Sequence, residues 1–140
     1  MKKQESKKRR YALLVEEDII LCAFYSSILD GLKVDHRLAE HGRQGLEHYI
    51  AGHEEDTPFD LVISDVTMPN MEGKEMAQKI RNYESANNLS RCGLYAIISD
   101  EHDLTELECL DYGFDDYIRK HSSAKDIQRI VQRHYLRSKT

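Results

Sequence analysis

The chain has 140 residues, 40% hydrophobic and 32% charged, with a net charge of −5, a composition that suits one soluble domain with a real core and leaves no room for a second. The first ten residues, MKKQESKKRR, hold six Lys or Arg and one Glu, whereas the remainder carries 14 basic and 24 acidic residues, so a basic tail precedes an acidic body that lacks the charge of a DNA reader. No apolar run approaches the roughly 20 residues of a membrane span, and the five apolar residues from Tyr11 to Val15 are too few for a secretory signal.

Residues 1–9 are read as a disordered, solvated tail; an arm for nucleic acid or an acidic surface is the rival reading. Tyr11 to Val15 then forms a first strand. Leu21, Phe24, Ile28 and Leu32 recur at helical spacing until Gly31 and its neighbours close a first helix. Val34 to Ala39 reads as strand two, and Gly42 opens a helix with Leu46, Tyr49 and Ile50 on one face. The polar stretch from Gly52 to Pro58 ends that helix before Phe59 to Ser64, the clearest strand, which delivers Asp65.

After a loop from Val66 to Gly73, Met76, Ile80 and Tyr83 mark a third helix, and a polar linker around Asn87 to Ser90 leads to strand four, Leu94 to Ile98. Leu104, Leu107 and Leu110 define the expected apolar face of a fourth helix closed by Gly113. Tyr117 and Ile118 lie in a short fifth strand, and Ile127, Ile130 and Val131 mark a final helix. Short apolar runs alternating with helical stretches predict an α/β fold, five parallel strands with five helices, over residues 10–137 and followed by a tail at 138–140. Cys22, Cys92 and Cys109 form no C-x-x-C pair and fit free thiols in a reducing cytoplasm, each a small buried hydrophobe.

In an open parallel sheet the ligand site lies beyond the carboxyl ends of the strands. Collecting there are Glu16, Glu17 and Asp18 after strand one, Asp65 after strand three, Ser99 after strand four and Lys120 after strand five. Carboxylates crowded at one edge either raise a pKa or call for a cation, and a hard, oxygen-seeking ion such as magnesium suits them because it also bridges to phosphate oxygens. A carboxylate can attack phosphorus, and phosphoryl transfer needs mainly positioning plus cations and donors around the equatorial oxygens. Asp65 with Lys120, Ser99 and a metal supplies that set. No histidine pair has metal-ligand spacing, and no glycine-rich nucleotide loop is present.

The segment LVISDVTMPNMEG from Leu61 to Gly73 closely resembles the phosphoacceptor motif of response-regulator receiver domains. The resemblance continues in Leu13 to Asp18, in Ala39, Gly42 and Leu46, and in GFDDYIRK from Gly113 to Lys120. It implies a flavodoxin-like doubly wound sheet in the order 2-1-3-4-5 with helices on both faces. It further implies that Asp65 is the phosphorylated residue and that Mg2+ is held by Glu16, Glu17, Asp65 and the Thr67 backbone carbonyl. Ser99 and Lys120 would grip the phosphoryl group, and Ser99 and Tyr117 would act as switch residues. Thr67 and Glu101 match positions that adjust the lifetime of the phosphoryl group in relatives. The partners implied are a histidine kinase or phosphotransfer protein and a downstream protein target, with no direct nucleic acid contact and no membrane.

Three positions depart from the pattern. Glu17 stands where the second acid is usually Asp; Asp18 beside it is either an alternative metal ligand or, the blander role, the cap of helix one. Asp100 follows Ser99 where a small residue is common and could shield or repel a phosphoryl group. His121 replaces the proline that follows the lysine; a cis bond before a non-proline residue costs about 3 kcal/mol, so a trans Lys120–His121 bond is expected, with a weaker or absent Lys120–Asp65 contact. The competing functions are a pseudo-receiver, an interaction module that is not phosphorylated, and a phosphatase of the haloacid-dehalogenase type. The last needs a second Asp two residues after the nucleophile, where Thr67 stands.

Overall fold

A computed structural model describes residues 10–66, 72–99 and 106–137. The tails at 1–9 and 138–140, together with Thr67, Asp100, Glu101 and Leu104, lie outside the described residues. The elements alternate in chain order: β1 (Tyr11–Val15), α1 (Ile19–Gly31), β2 (Asp35–Ala39), α2 (Gly42–Glu54), β3 (Leu61–Asp65), α3 (Gly73–Ala86), β4 (Gly93–Ile98), α4 (Glu106–Asp111), β5 (Asp116–Arg119) and α5 (Ala124–Arg137). All neighbouring strands pair in parallel, in the order β2-β1-β3-β4-β5. The flavodoxin-like order implied by the family resemblance is therefore observed.

Because successive side chains of a strand point to opposite faces, each buried strand feeds two cores. Leu13, Val15, Val62, Leu94, Ala96 and Ile98 face one layer, closed by Tyr49 of α2, Met76, Ala77 and Ile80 of α3, and Cys109 of α4. Ala12, Leu14, Leu61, Ile63, Tyr95, Ile97 and Ile118 face the other, closed by Tyr25, Ile28 and Leu29 of α1 and Ile127, Val131 and Tyr135 of α5. This double burial explains why β1, β3 and β4 read as unbroken apolar runs.

Three expectations need correction. Leu110 does not belong to the apolar face of α4: it is 56% exposed, whereas Cys109 is buried and Phe114 beyond the helix joins the same core; Leu104 and the Leu107 side chain lie outside what is described. Cys109 and Phe114, not Leu110, reach the layer above β4. On α1, Leu21, Phe24 and Leu32 only flank the core, and Tyr25 and Leu29 occupy its centre with Ile28. Finally, β3 starts at Leu61 and not Phe59, although Asp60 already bonds to both neighbouring strands, its N–H to the Tyr11 carbonyl and its carbonyl to Gly93 N–H. The three cysteines are free; Cys92 and Cys109 are buried, but Cys22 is only half-buried.

Candidate functional site

The two-residue period of the strands decides what meets at their carboxyl ends. Leu14 and Ile63 belong to the core layer under α1 and α5, so Glu16 and Asp65, two residues further along β1 and β3, continue on the same face. Ile97 and Ile118 belong to that layer as well, and two residues beyond them come Ser99 and Lys120. The side chains of one apolar layer thus end in an acid, an acid, a hydroxyl and an amine. The sheet bonds carry on into these positions, with Glu16 N–H donating to the Ala39 carbonyl at 3.0 Å and Lys120 N–H to the Ile98 carbonyl at 2.9 Å. The site therefore inherits the rigidity of the sheet.

Asp65 is 4% exposed and Glu16 2%. Lys120 reaches in from the β5–α5 loop, with Nζ 3.5 Å from Asp65 Oδ2. Described peptide bonds include no cis bond, so Lys120–His121 is trans as expected. The Lys120–Asp65 contact is present and not absent: the flexible lysine stem makes the ion pair without a proline turn, and His121 itself faces solvent. Ser99 is half-buried at the end of β4.

Glu16 is the electrostatically stressed member. Burial, and then the Asp65 carboxylate, push its carboxyl up to about 7; the Asp18 N–H on Glu16 Oε2, at 3.1 Å, and the Lys120 charge act in the opposite direction. Its other oxygen, Oε1, is buried with no hydrogen-bond partner among the described residues. An acceptor-only oxygen left unpaired beside a second carboxylate is what a hard cation relieves. Magnesium takes one or two carboxylates and fills its remaining positions with water or phosphate oxygens, so Glu16 and Asp65 fit it by donor chemistry.

The remaining acids sit differently. Glu17 is exposed and, with Ile19, Leu38 and Glu40, lines a groove between α1 and β2 whose floor includes Glu16. Asp18 caps α1, its Oδ1 accepting from Ile20 N–H at 2.9 Å and Leu21 N–H at 3.1 Å. Thr67, Asp100 and Glu101 lie outside the described residues. Tyr117 is half-buried on the opposite face of the sheet, packed against the core under α2 and α3, with the Arg119 guanidinium 5.3 Å from its ring centre.

Two residues near the site have roles that the sequence reading left unassigned. Gly73 opens α3 directly against the backbone of Asp65; a Cβ there would collide with the Asp65 carbonyl oxygen, and Gly73 N–H donates to the Val66 carbonyl at 3.1 Å. Tyr25 of α1 packs beneath the site in the layer of Leu14 and Ile63. Its spacing to Ile28 and Leu29 was the available signal, which the choice of Leu21 and Phe24 as the apolar face obscured.

The family described as response regulator receiver domain matches residues 12–132. The chain is 28% identical over 119 residues to the peroxide stress-activated histidine kinase mak1 of Schizosaccharomyces pombe, an alignment covering 85% of this chain but 7% of that kinase. Its fold is similar to the receiver domain of Ssk1 from Saccharomyces cerevisiae, solved together with the histidine phosphotransfer protein Ypd1, with a TM-score of 0.78 and 20% identity over 93% of this chain and 91% of that one. It is also similar to the receiver domain of the sensor histidine kinase PA1611 from Pseudomonas aeruginosa, which holds magnesium in its active site cleft, with a TM-score of 0.74 and 24% identity over 90% and 97% of the two chains.

Proposed function

Because the chain belongs to the response regulator receiver domain family, we propose that it acts in phosphorelay signalling by taking a phosphoryl group onto Asp65. The observation that carries this reading is the buried Asp65 carboxylate with the Lys120 ammonium 3.5 Å away and the unpaired Glu16 oxygen beside it. An Asp65 oxygen attacks phosphorus, the bond from phosphorus to a phosphohistidine nitrogen breaks, and the electron pair leaves with the imidazole. Lys120 neutralises charge on one phosphoryl oxygen and Ser99 donates to another. Magnesium, when bound, supplies the remaining positive charge on the phosphoryl oxygens.

In this reading Glu16, Glu17, Asp65 and the Thr67 carbonyl would hold the metal, with Asp18 as the alternative ligand. Asp100, Glu101, Thr67 and His121 set how long the phosphoryl group survives. The donor is a histidine kinase or phosphotransfer protein in the cytoplasm, and residues 10–137 form the one receiver unit. A shift of Ser99 and Tyr117 between two states changes a surface read by a downstream protein. No described helix is long and apolar enough to cross a membrane. The pseudo-receiver alternative is weakened by the Lys120–Asp65 ion pair, the feature a chain freed from phosphorylation has no need to keep.

The test is phosphate uptake from acetyl phosphate with Mg2+, read as intact mass in acid. One added phosphate is expected in the wild type and none in Asp65→Ala. A wild type that binds magnesium, stays folded and gains no mass from either acetyl phosphate or a phosphorylated phosphotransfer protein would overturn the reading.

A further inference from the structure

Tyr25 sits in the middle of α1 and is 1% exposed, yet its hydroxyl has no hydrogen-bond partner among the described residues. Burying a hydroxyl without a partner forfeits its bonds to water, so the oxygen burdens the fold unless the site uses it. Its location points to such a use. The ring packs in one layer with Leu14 and Ile63, the residues two before Glu16 and Asp65 on their strands, so the phenol and both carboxylates share one face of the sheet. The same face contains a second buried, unpartnered atom, Glu16 Oε1. A donor without an acceptor thus lies in the same layer as an acceptor without a donor.

We propose that Tyr25 is a positioning residue for the metal site: its hydroxyl supplies the hydrogen bond that Glu16 Oε1 lacks and so holds this carboxylate in place as a magnesium ligand. The inference rests on the reading of Glu16 as a ligand. A carboxylate oxygen has two acceptor sites, so a hydrogen bond from Tyr25 leaves room for the ion. Partners that orient a metal ligand from behind are worth about tenfold or more in affinity. The backbone beneath Glu16 is braced from the same helix, because Cys22 Sγ lies 3.0 Å from the Glu16 carbonyl oxygen as a thiol donor.

Tyr25→Phe keeps the ring and removes only the hydroxyl. Without magnesium its melting temperature should equal or exceed that of wild type, since an unpaired buried hydroxyl is lost. Calorimetric titration with MgCl2 should show affinity about tenfold weaker than wild type. In protein labelled with 13C at tyrosine Cζ, the signal missing from Tyr25→Phe should shift when MgCl2 is added to wild type. Equal magnesium affinities, or a Tyr25 signal that stays still at saturation, would overturn the inference alone. A wild type that binds no magnesium would overturn the reading of Glu16 beneath it, and the inference with it.

Discussion

At Glu16 a single carboxyl serves two opposed ends. Burial lifts its folded-state pKa to about 7, above the ordinary 4.5 of a glutamate, so the folded state binds its proton more tightly than the unfolded chain does. Stability from this group is therefore gained as pH falls from 7 to 4.5 and is absent above pH 7, where a buried charge must be held unpaired. Glu16→Gln should stabilise the magnesium-free protein at pH 8 by roughly 3 kcal/mol and by almost nothing at pH 4.5, a difference that urea denaturation at the two pH values would reveal. The same variant should lose most of its magnesium affinity. Equal denaturation midpoints at pH 8 would show that Glu16 is not strained. Lys120 is the complementary case: Lys120→Ala removes the cation 3.5 Å from Asp65 and should slow phosphate uptake at least tenfold, on the scale of losing one charge-stabilising donor, as followed by intact mass against time.

Helix α3 ties the site to the far end of the sheet. At its start, Gly73 lets the helix close on the Asp65 carbonyl, and Gly73→Ala should cost about 1–3 kcal/mol through overpacking while displacing Asp65, seen as lower melting temperature together with slower phosphate uptake. Near its end, buried Glu84 accepts from Tyr49 Oη at 2.6 Å, from Cys92 N–H at 2.9 Å and from Arg81 at 2.9 Å. Arg81 in turn donates to the Gly113 carbonyl and to Asp115, each at 2.9 Å. Two helices and two loops converge on that pair, so Glu84→Ala should cost about 3–5 kcal/mol by leaving the buried guanidinium short of its partner; a loss below about 1 kcal/mol in urea denaturation would contradict this. None of the network was legible in the sequence, because Arg81 and Glu84 look like ordinary solvent-facing residues until tertiary packing encloses them. Nor was the outward face of Leu110 on α4, since the six residues of that helix offer too little periodicity for Leu110 to betray that it faces water.

Over the whole molecule, what the sequence made plain follows from double burial. Strands such as Leu61–Asp65 are buried on both faces, so they appear as unbroken apolar runs and their charged ends mark one edge of the sheet. Which side of that edge each end occupies depends on strand parity, and parity separates Glu16 and Asp65 from Tyr117. Acid response also belongs to the whole chain. Burial lowers the pKa of His48, His53 and His134, so below pH 6.5 the unfolded chain takes protons first and stability falls, against the gain from Glu16. The melting temperature of Glu16→Gln should therefore drop more steeply than that of wild type between pH 7 and 5; parallel curves would contradict the assignment. The central claim is the place of the phosphoryl group. Protein loaded with acetyl phosphate and Mg2+ is reduced with borohydride, which converts an aspartyl phosphate to homoserine, and its peptides are sequenced by tandem mass spectrometry. The account predicts homoserine at position 65 and nowhere else. An intact Asp65 with homoserine at another position, or phosphate retained on a hydroxyl or imidazole, would contradict it.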